Sequence, residues 1–169
     1  MTSQDNKLAH AVATFGGLGE RLPAPGTSVG SLPVCLAWWA VCAMVPIASV
    51  RLIVTAVALF VAAAIGTWAA EVEAQRVGSN DPGQIVVDES AGQLLVFLVA
   101  LPFVALTSQL QLAVFAAVGF LLFRFFDIVK PWPIRLFEKF PGGIGIVADD
   151  LAAGYLAAAV LAIGWRVVT

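Results

Sequence analysis

Charge is scarce in this sequence. Charged residues make up 12% of it and hydrophobic residues 60%, whereas soluble domains carry about 25% charged positions. That shortage excludes an ordinary water-soluble domain. The net charge of −2 gives no basic field, and no clustered basic and aromatic face is present, so no nucleic-acid partner is expected. The sole histidine, His10, lies in the polar N-terminal stretch, which argues against a phosphohistidine route or a histidine general base. There is no G-x-x-x-x-G-K-[ST] loop for ATP phosphates, and no D-x-D pair, since Asp149 and Asp150 are adjacent. Cys35 and Cys42 share one apolar run, roughly 10 Å apart along a helix and too far for a disulfide. They read as buried thiols. Residues 1–31 are too long and polar for the n-region of a signal peptide, so no cleaved signal is expected.

Long apolar runs fill the rest. Residues 32–50 and 52–70, parted by Arg51, each approach the roughly 20 residues that a spanning helix needs. Residues 151–168 form another such run. The run at 94–123 is too long for one helix and is interrupted by "TSQLQ" at Thr107. Read as a hairpin, it has arms at 88–106 and 112–130, each roughly 28 Å long, with Pro102 expected to kink the first. The polar stretches 1–31, 71–93 and 124–150 then share one side. Seven of the nine Lys and Arg residues fall there and only Arg51 and Arg166 opposite, which assigns that face to the cytoplasm. The expected fold is all-α: an integral membrane helical bundle with about five spanning or partly spanning helices. Residues 1–13 read as a polar tail and 14–169 as a single membrane-embedded domain.

The residues that carry chemistry lie in the polar stretches. "DPGQIVVDESAG" places Asp88 and Glu89 where a helix enters the bilayer. "FRFFDIVKPWPI" places Arg124, Asp127 and Lys130 where the returning helix leaves it, recurring every third residue on one face. "GGIGIVADDLAAG" places Asp149 and Asp150 at the next entry. Four of these five carboxylates are thus expected at helix N-termini, where the macrodipole favours each by roughly 0.3–1 kcal/mol. An oxygen-only set without histidine or cysteine suits Mg²⁺. Arg124, with its planar fork, and Lys130, as a point charge, suit phosphate oxygens. Attack by a metal-activated water, or by an aspartate, fits this set.

Plainer roles stand beside these. Any one carboxylate fits an N-cap or an interfacial charge, and Arg124 with Asp127 fits an i,i+3 ion pair worth about 0.2–0.5 kcal/mol. The stretch "FGGLGERLPAPGTSVGS" offers backbone N–H groups to an anion, but Thr27, Ser28 and Ser31 are more simply loop and cap hydroxyls. Glu71 and Glu73, with Arg76, mark a helix end at the interface. What favours the functional reading is three separated acidic motifs meeting on one side. A divalent-cation transporter would use the same acids nearer mid-membrane, and an assembly protein would use them as caps.

In their order and spacing, "PAPGTSVGSLP", "IVVDESAG", "FRFFDIVKPWPI" and "GGIGIVADDLAAG" closely resemble the bacterial phosphatidylglycerophosphatase A family, over nearly the whole chain. The resemblance implies an inner-membrane, Mg²⁺-dependent phosphatase of glycerophospholipid biosynthesis. Its substrate would be phosphatidylglycerophosphate, its product phosphatidylglycerol, and its site would face the cytoplasm. It also implies an all-α bundle with a central helix surrounded by others. Carried across by position, Asp88, Glu89, Asp127, Asp149 and Asp150 match the family's acidic, metal-binding positions. Arg124 and Lys130 match its basic ones, for catalysis and substrate binding, and Thr27 and Ser31 match its first-motif hydroxyls, for substrate binding. Asp127 and Asp150 are the candidate general bases. A phosphatase of another phosphorylated membrane lipid is the nearest alternative, and oligomeric state stays open. One departure stands out: the family commonly reads P-G-T-x-G-S, whereas residues 25–31 read P-G-T-S-V-G-S, one residue longer.

Overall fold

A computed structural model describes residues 3–168, the side chains of Ser3 and Glu138 excepted, and every regular element in that range is helical. The order is α1 (Ser3–Ala13), a π-helical segment (Gly26–Ser31) running into α2 (Leu32–Met44), then α3 (Ala48–Val77), α4 (Val87–Ala100), α5 (Gln109–Val129) and α6 (Gly142–Val168). The π geometry admits more residues per turn than an α-helix, which suits the additional residue in the P-G-T motif. Four helices are long and apolar enough to cross a membrane: Gly26–Met44, Ala48–Val77, Gln109–Val129 and Gly142–Val168. The fifth, α4, spans only about 21 Å and is the central one, packed against α2, α3, α5 and α6. The expected all-α bundle is therefore observed. On α3 the outward residues are apolar, among them Ile53 and Phe60, the pattern of a helix facing lipid rather than water.

Several boundaries differ from expectation, each for a local reason. The break between the first two long helices falls at Pro46, not at Arg51. Proline has no N–H to continue the ladder and drives Val45 to extended backbone, at φ −104° and ψ 104°. Arg51 lies in the first turn of α3, where its Nε donates to the Val45 carbonyl at 2.6 Å. The hairpin is present, but its first arm stops short. Pro102 ends α4 rather than kinking it, and the chain passes into a 3₁₀ turn at Leu101–Phe103. Ser108 then caps α5, its side chain accepting from the Gln111 N–H at 3.1 Å. The last helix starts at Gly142, well before the apolar run at 151. Its first turn is stitched to α3 by Glu71, whose Oε2 accepts from the Gly143 N–H at 2.6 Å.

Aromatic packing holds the middle of the bundle. Trp38 stacks on Phe97 with centroids 3.9 Å apart, and Trp165 meets Phe115 edge-on at 5.3 Å. The indole N–H of Trp38 donates to Thr55 at 2.8 Å, so the buried ring leaves no polar atom unmet. Cys35 and Cys42 are free buried thiols, as their spacing predicts. Helices α4 and α6 pack backbone to backbone. A Cβ on Gly154 would strike the Gly92 carbonyl, and one on Gly92 would meet Phe123 and the Asp150 carbonyl.

Candidate active site

The first turn of α4, the last turns of α5 and the second and third turns of α6 come together at one end of the bundle. Carboxylate oxygens of Asp88, Glu89 and Asp150 lie within 4.8 Å of one another. Asp127 is within hydrogen-bonding reach of Asp150. Arg124 closes the α5 side, its Nη1 2.8 Å from Asp127 Oδ2 and 3.9 Å from Glu89 Oε1. The fifth carboxylate, Asp149, is turned aside: its Oδ2 receives Lys130 Nζ at 2.5 Å. Its Oδ1 accepts the Asp150 backbone N–H at 3.0 Å. Adjacent helical residues point about 100° apart, and here the two aspartates meet different partners. Asp150 turns toward α4, and Asp149 toward the segment leaving α5.

The expectation that four carboxylates occupy helix N-termini holds for Asp88 and Glu89 alone. Because α6 starts at Gly142, Asp149 and Asp150 sit about 10–12 Å along it, beyond the first turn where the macrodipole acts. What places Asp150 is close packing. Asp88 precedes Gly92 by four residues and Asp150 precedes Gly154 by four, on two helices that run in the same direction from the site end. The glycine contact brings the backbones together one turn below the acids, so the carboxylates meet above it. This shared D-x-x-x-G spacing is a sequence signal for the contact that the reading of the acidic motifs did not use.

The first motif forms a roof. Ser90 Oγ donates to the Gly30 carbonyl at 3.1 Å, tying the π-helical segment to α4, and a Cβ on Gly26 would strike the Glu89 carboxylate. Its two predicted substrate hydroxyls part ways. Thr27 is half-exposed, whereas Ser31 is fully buried and donates to the Gly26 carbonyl at 3.0 Å, closing the π turn. Glu71 and Glu73 also do more than mark an interface. Glu71 holds the start of α6, and fully buried Glu73 accepts from Arg76 at 2.6 and 2.8 Å.

The acidic group is incomplete as it stands. Asp88 Oδ1 and Glu89 Oε2 are buried and have no hydrogen-bond partner among the described residues, and neither does Arg124 Nε. Carboxylates so close, away from water, repel strongly unless a positive charge is shared among them. Hard anionic oxygens on three helices, two of them unmet, are the donor set of a divalent cation of the Mg²⁺ or Ca²⁺ type. The residues present therefore fit a divalent metal.

Comparison with known proteins identifies the family. The Phosphatidylglycerophosphatase A family model matches residues 11–165. The Escherichia coli K12 protein named phosphatidylglycerophosphatase A is 35% identical over 153 residues, covering 90% of this chain and 80% of the relative. The Haemophilus influenzae protein of the same name is 40% identical over 156 residues, covering 91% and 87%. A Bacteroides thetaiotaomicron protein, named as a candidate phosphatidylinositol-3-phosphatase, is 34% identical over 143 residues, covering 85% and 84%. No solved structure shows a significant match. The chain belongs to the phosphatidylglycerophosphatase A family of phosphatases, the family that its four motifs resemble.

Proposed function

We propose that this phosphatase removes the terminal phosphate monoester of phosphatidylglycerophosphate, yielding phosphatidylglycerol in glycerophospholipid biosynthesis. One observation carries the reading: a buried group of carboxylates with two orphaned oxygens beside a buried guanidinium. Asp88, Glu89 and Asp150, with Asp127 at their edge, would hold Mg²⁺. When bound, the ion supplies Lewis acidity toward a phosphate ester and an attacking water. Asp149 serves as the support of Lys130 rather than as a ligand, since both of its oxygens are engaged within the protein.

The chain's own residues then do the following. Arg124, through its unmet Nε, and Lys130 bind non-bridging phosphate oxygens and offset the charge that grows there in the transition state. Asp127 or Asp150 accepts the proton of the attacking water. Water oxygen bonds to phosphorus, the bond from phosphorus to the headgroup oxygen breaks, and the carboxylate returns the proton to that leaving oxygen. Thr27, half-exposed on the roof, would donate to the substrate phosphate.

The site end faces the cytoplasm of the bacterial inner membrane in this reading. Lys130 and Arg124 lie there, while Arg51 and Arg166 bond to the Val45 and Phe103 carbonyls at the other end. The test is phosphate release by purified protein in mixed micelles of phosphatidylglycerophosphate, with phosphatidylinositol 3-phosphate as the comparison substrate. Release that requires Mg²⁺, is blocked by EDTA and favours the first lipid is the expected result. Full activity in excess EDTA, or preference for the phosphoinositide, would overturn it.

A further inference from the structure

The acidic group accounts for one phosphate, but the proposed substrate carries a second one beyond a glycerol. Beside Asp149 lies a cavity of about 600 Å³ whose wall includes Asn80, Asp81, Lys139, Phe140 and Gly145. It is bounded by the loop that leads into α4 and by the segment that leads into α6. Gly145 packs so closely on the Phe140 carbonyl that a Cβ there would strike it, which holds the second wall against the helix. Asp81 lies within electrostatic range of both Asp88 and Asp149, so the cavity adjoins the acidic group. The side chains of Asn80, Asp81 and Lys139 form no hydrogen bond or ion pair among the described residues.

We propose that this cavity is the specificity pocket for the headgroup between the scissile phosphate and the bilayer. Lys139 receives the anionic phosphodiester, while Asp81 accepts a hydrogen bond from the one free hydroxyl of the glycerol spacer, which in turn accepts one from the Asn80 amide N–H. The chemistry recognised is a hydroxylated spacer joining a phosphate monoester to a phosphodiester. A lysine supplies a point charge to the diester. An amide and a carboxylate with unused acceptors favour a hydroxylated ligand and penalise one that leaves them unmet. The proposal rests on the phosphatidylglycerophosphatase reading and adds the residues that set its selectivity.

The experiment compares wild type, Lys139→Gln and the double variant Asn80→Ala/Asp81→Ala on two lipids in mixed micelles. Phosphatidylglycerophosphate carries the second phosphate and the polyol, whereas phosphatidic acid is a lipid phosphate monoester lacking both. All three residues are exposed, so folding is preserved, which thermal melting in detergent checks. Each variant is expected to raise KM for phosphatidylglycerophosphate about fivefold to tenfold with kcat within about twofold, the scale of one hydrogen bond's net contribution. The preference for that lipid over phosphatidic acid falls in step. Unchanged KM and unchanged preference in both variants, with wild type active, would overturn the pocket and leave the function standing. A wild type that releases no phosphate from phosphatidylglycerophosphate would overturn the function itself and the pocket with it.

Discussion

Among the described residues, two groups of acids each centre on buried carboxylates, and they are settled in opposite ways. Around Glu73, Arg76 donates to both carboxylate oxygens at 2.6 and 2.8 Å, Gln84 donates at 2.6 Å, and His10 Nδ1 lies 3.1 Å away. Glu20 joins at 3.9 Å from both His10 and Arg76. Around Asp88, Glu89 and Asp150, two carboxylate oxygens have no partner. Proximity does not separate the groups, since each brings three side chains with ligand atoms within 4.8 Å. Satisfaction does. A network in which both oxygens of the buried Glu73 carboxylate are met pins α1 to α3 without a ligand. A network with orphaned oxygens is complete only with something added.

Four experiments break or sharpen that contrast. Asp150→Asn removes a charge from the unmet group, and kcat/KM for phosphate release is expected to fall about a thousandfold or more. The melting temperature in detergent should hold or rise, because repulsion among the remaining carboxylates is relieved. A variant that loses stability in proportion to activity would erase the distinction. Next in size is the response to Mg²⁺ itself. At about 100 times its Kd the ion should stabilise wild type by about 2.7 kcal/mol, with a much smaller effect on Asp150→Asn, read as a shift in thermal unfolding.

Glu73→Ala should show the opposite profile to Asp150→Asn. Loss of its hydrogen bonds is expected to cost about 2 kcal/mol of stability, moderated because Arg76 is 43% exposed and can be hydrated instead. Turnover per folded molecule should stay within about twofold of wild type. Gly26→Ala is the smallest change. Its new methyl group would meet the Glu89 carboxylate, and shifting that side chain is expected to lower kcat/KM about tenfold with little effect on melting.

Much of this was legible along the chain. Run lengths gave the long helices, and "TSQLQ" marked the hairpin, because a polar stretch inside a long apolar run is costly in lipid unless the chain turns there. The convergence of Asp88, Glu89, Asp127 and Asp150 was legible too, since the hairpin puts their three stretches on one side. Less legible were the prolines. Pro46 and Pro102 end helices here, and whether a proline kinks or stops a helix depends on what the freed carbonyls meet next. Least legible was Glu73, which reads like any acid near a helix end until His10 and Gln84 arrive from distant positions.

By itself the sequence determined that this protein is a bundle of apolar helices with its acids gathered at one end, because hydropathy and charge placement are local properties of the chain. Only the tertiary structure decided how those acids divide. The crossing at Gly92 and Gly154 sets Asp150 against Asp88 and Glu89, while Lys130, where the chain leaves α5, engages Asp149 on another side. That division depends on the angle and depth at which two helices meet, and no single stretch of sequence contains both partners.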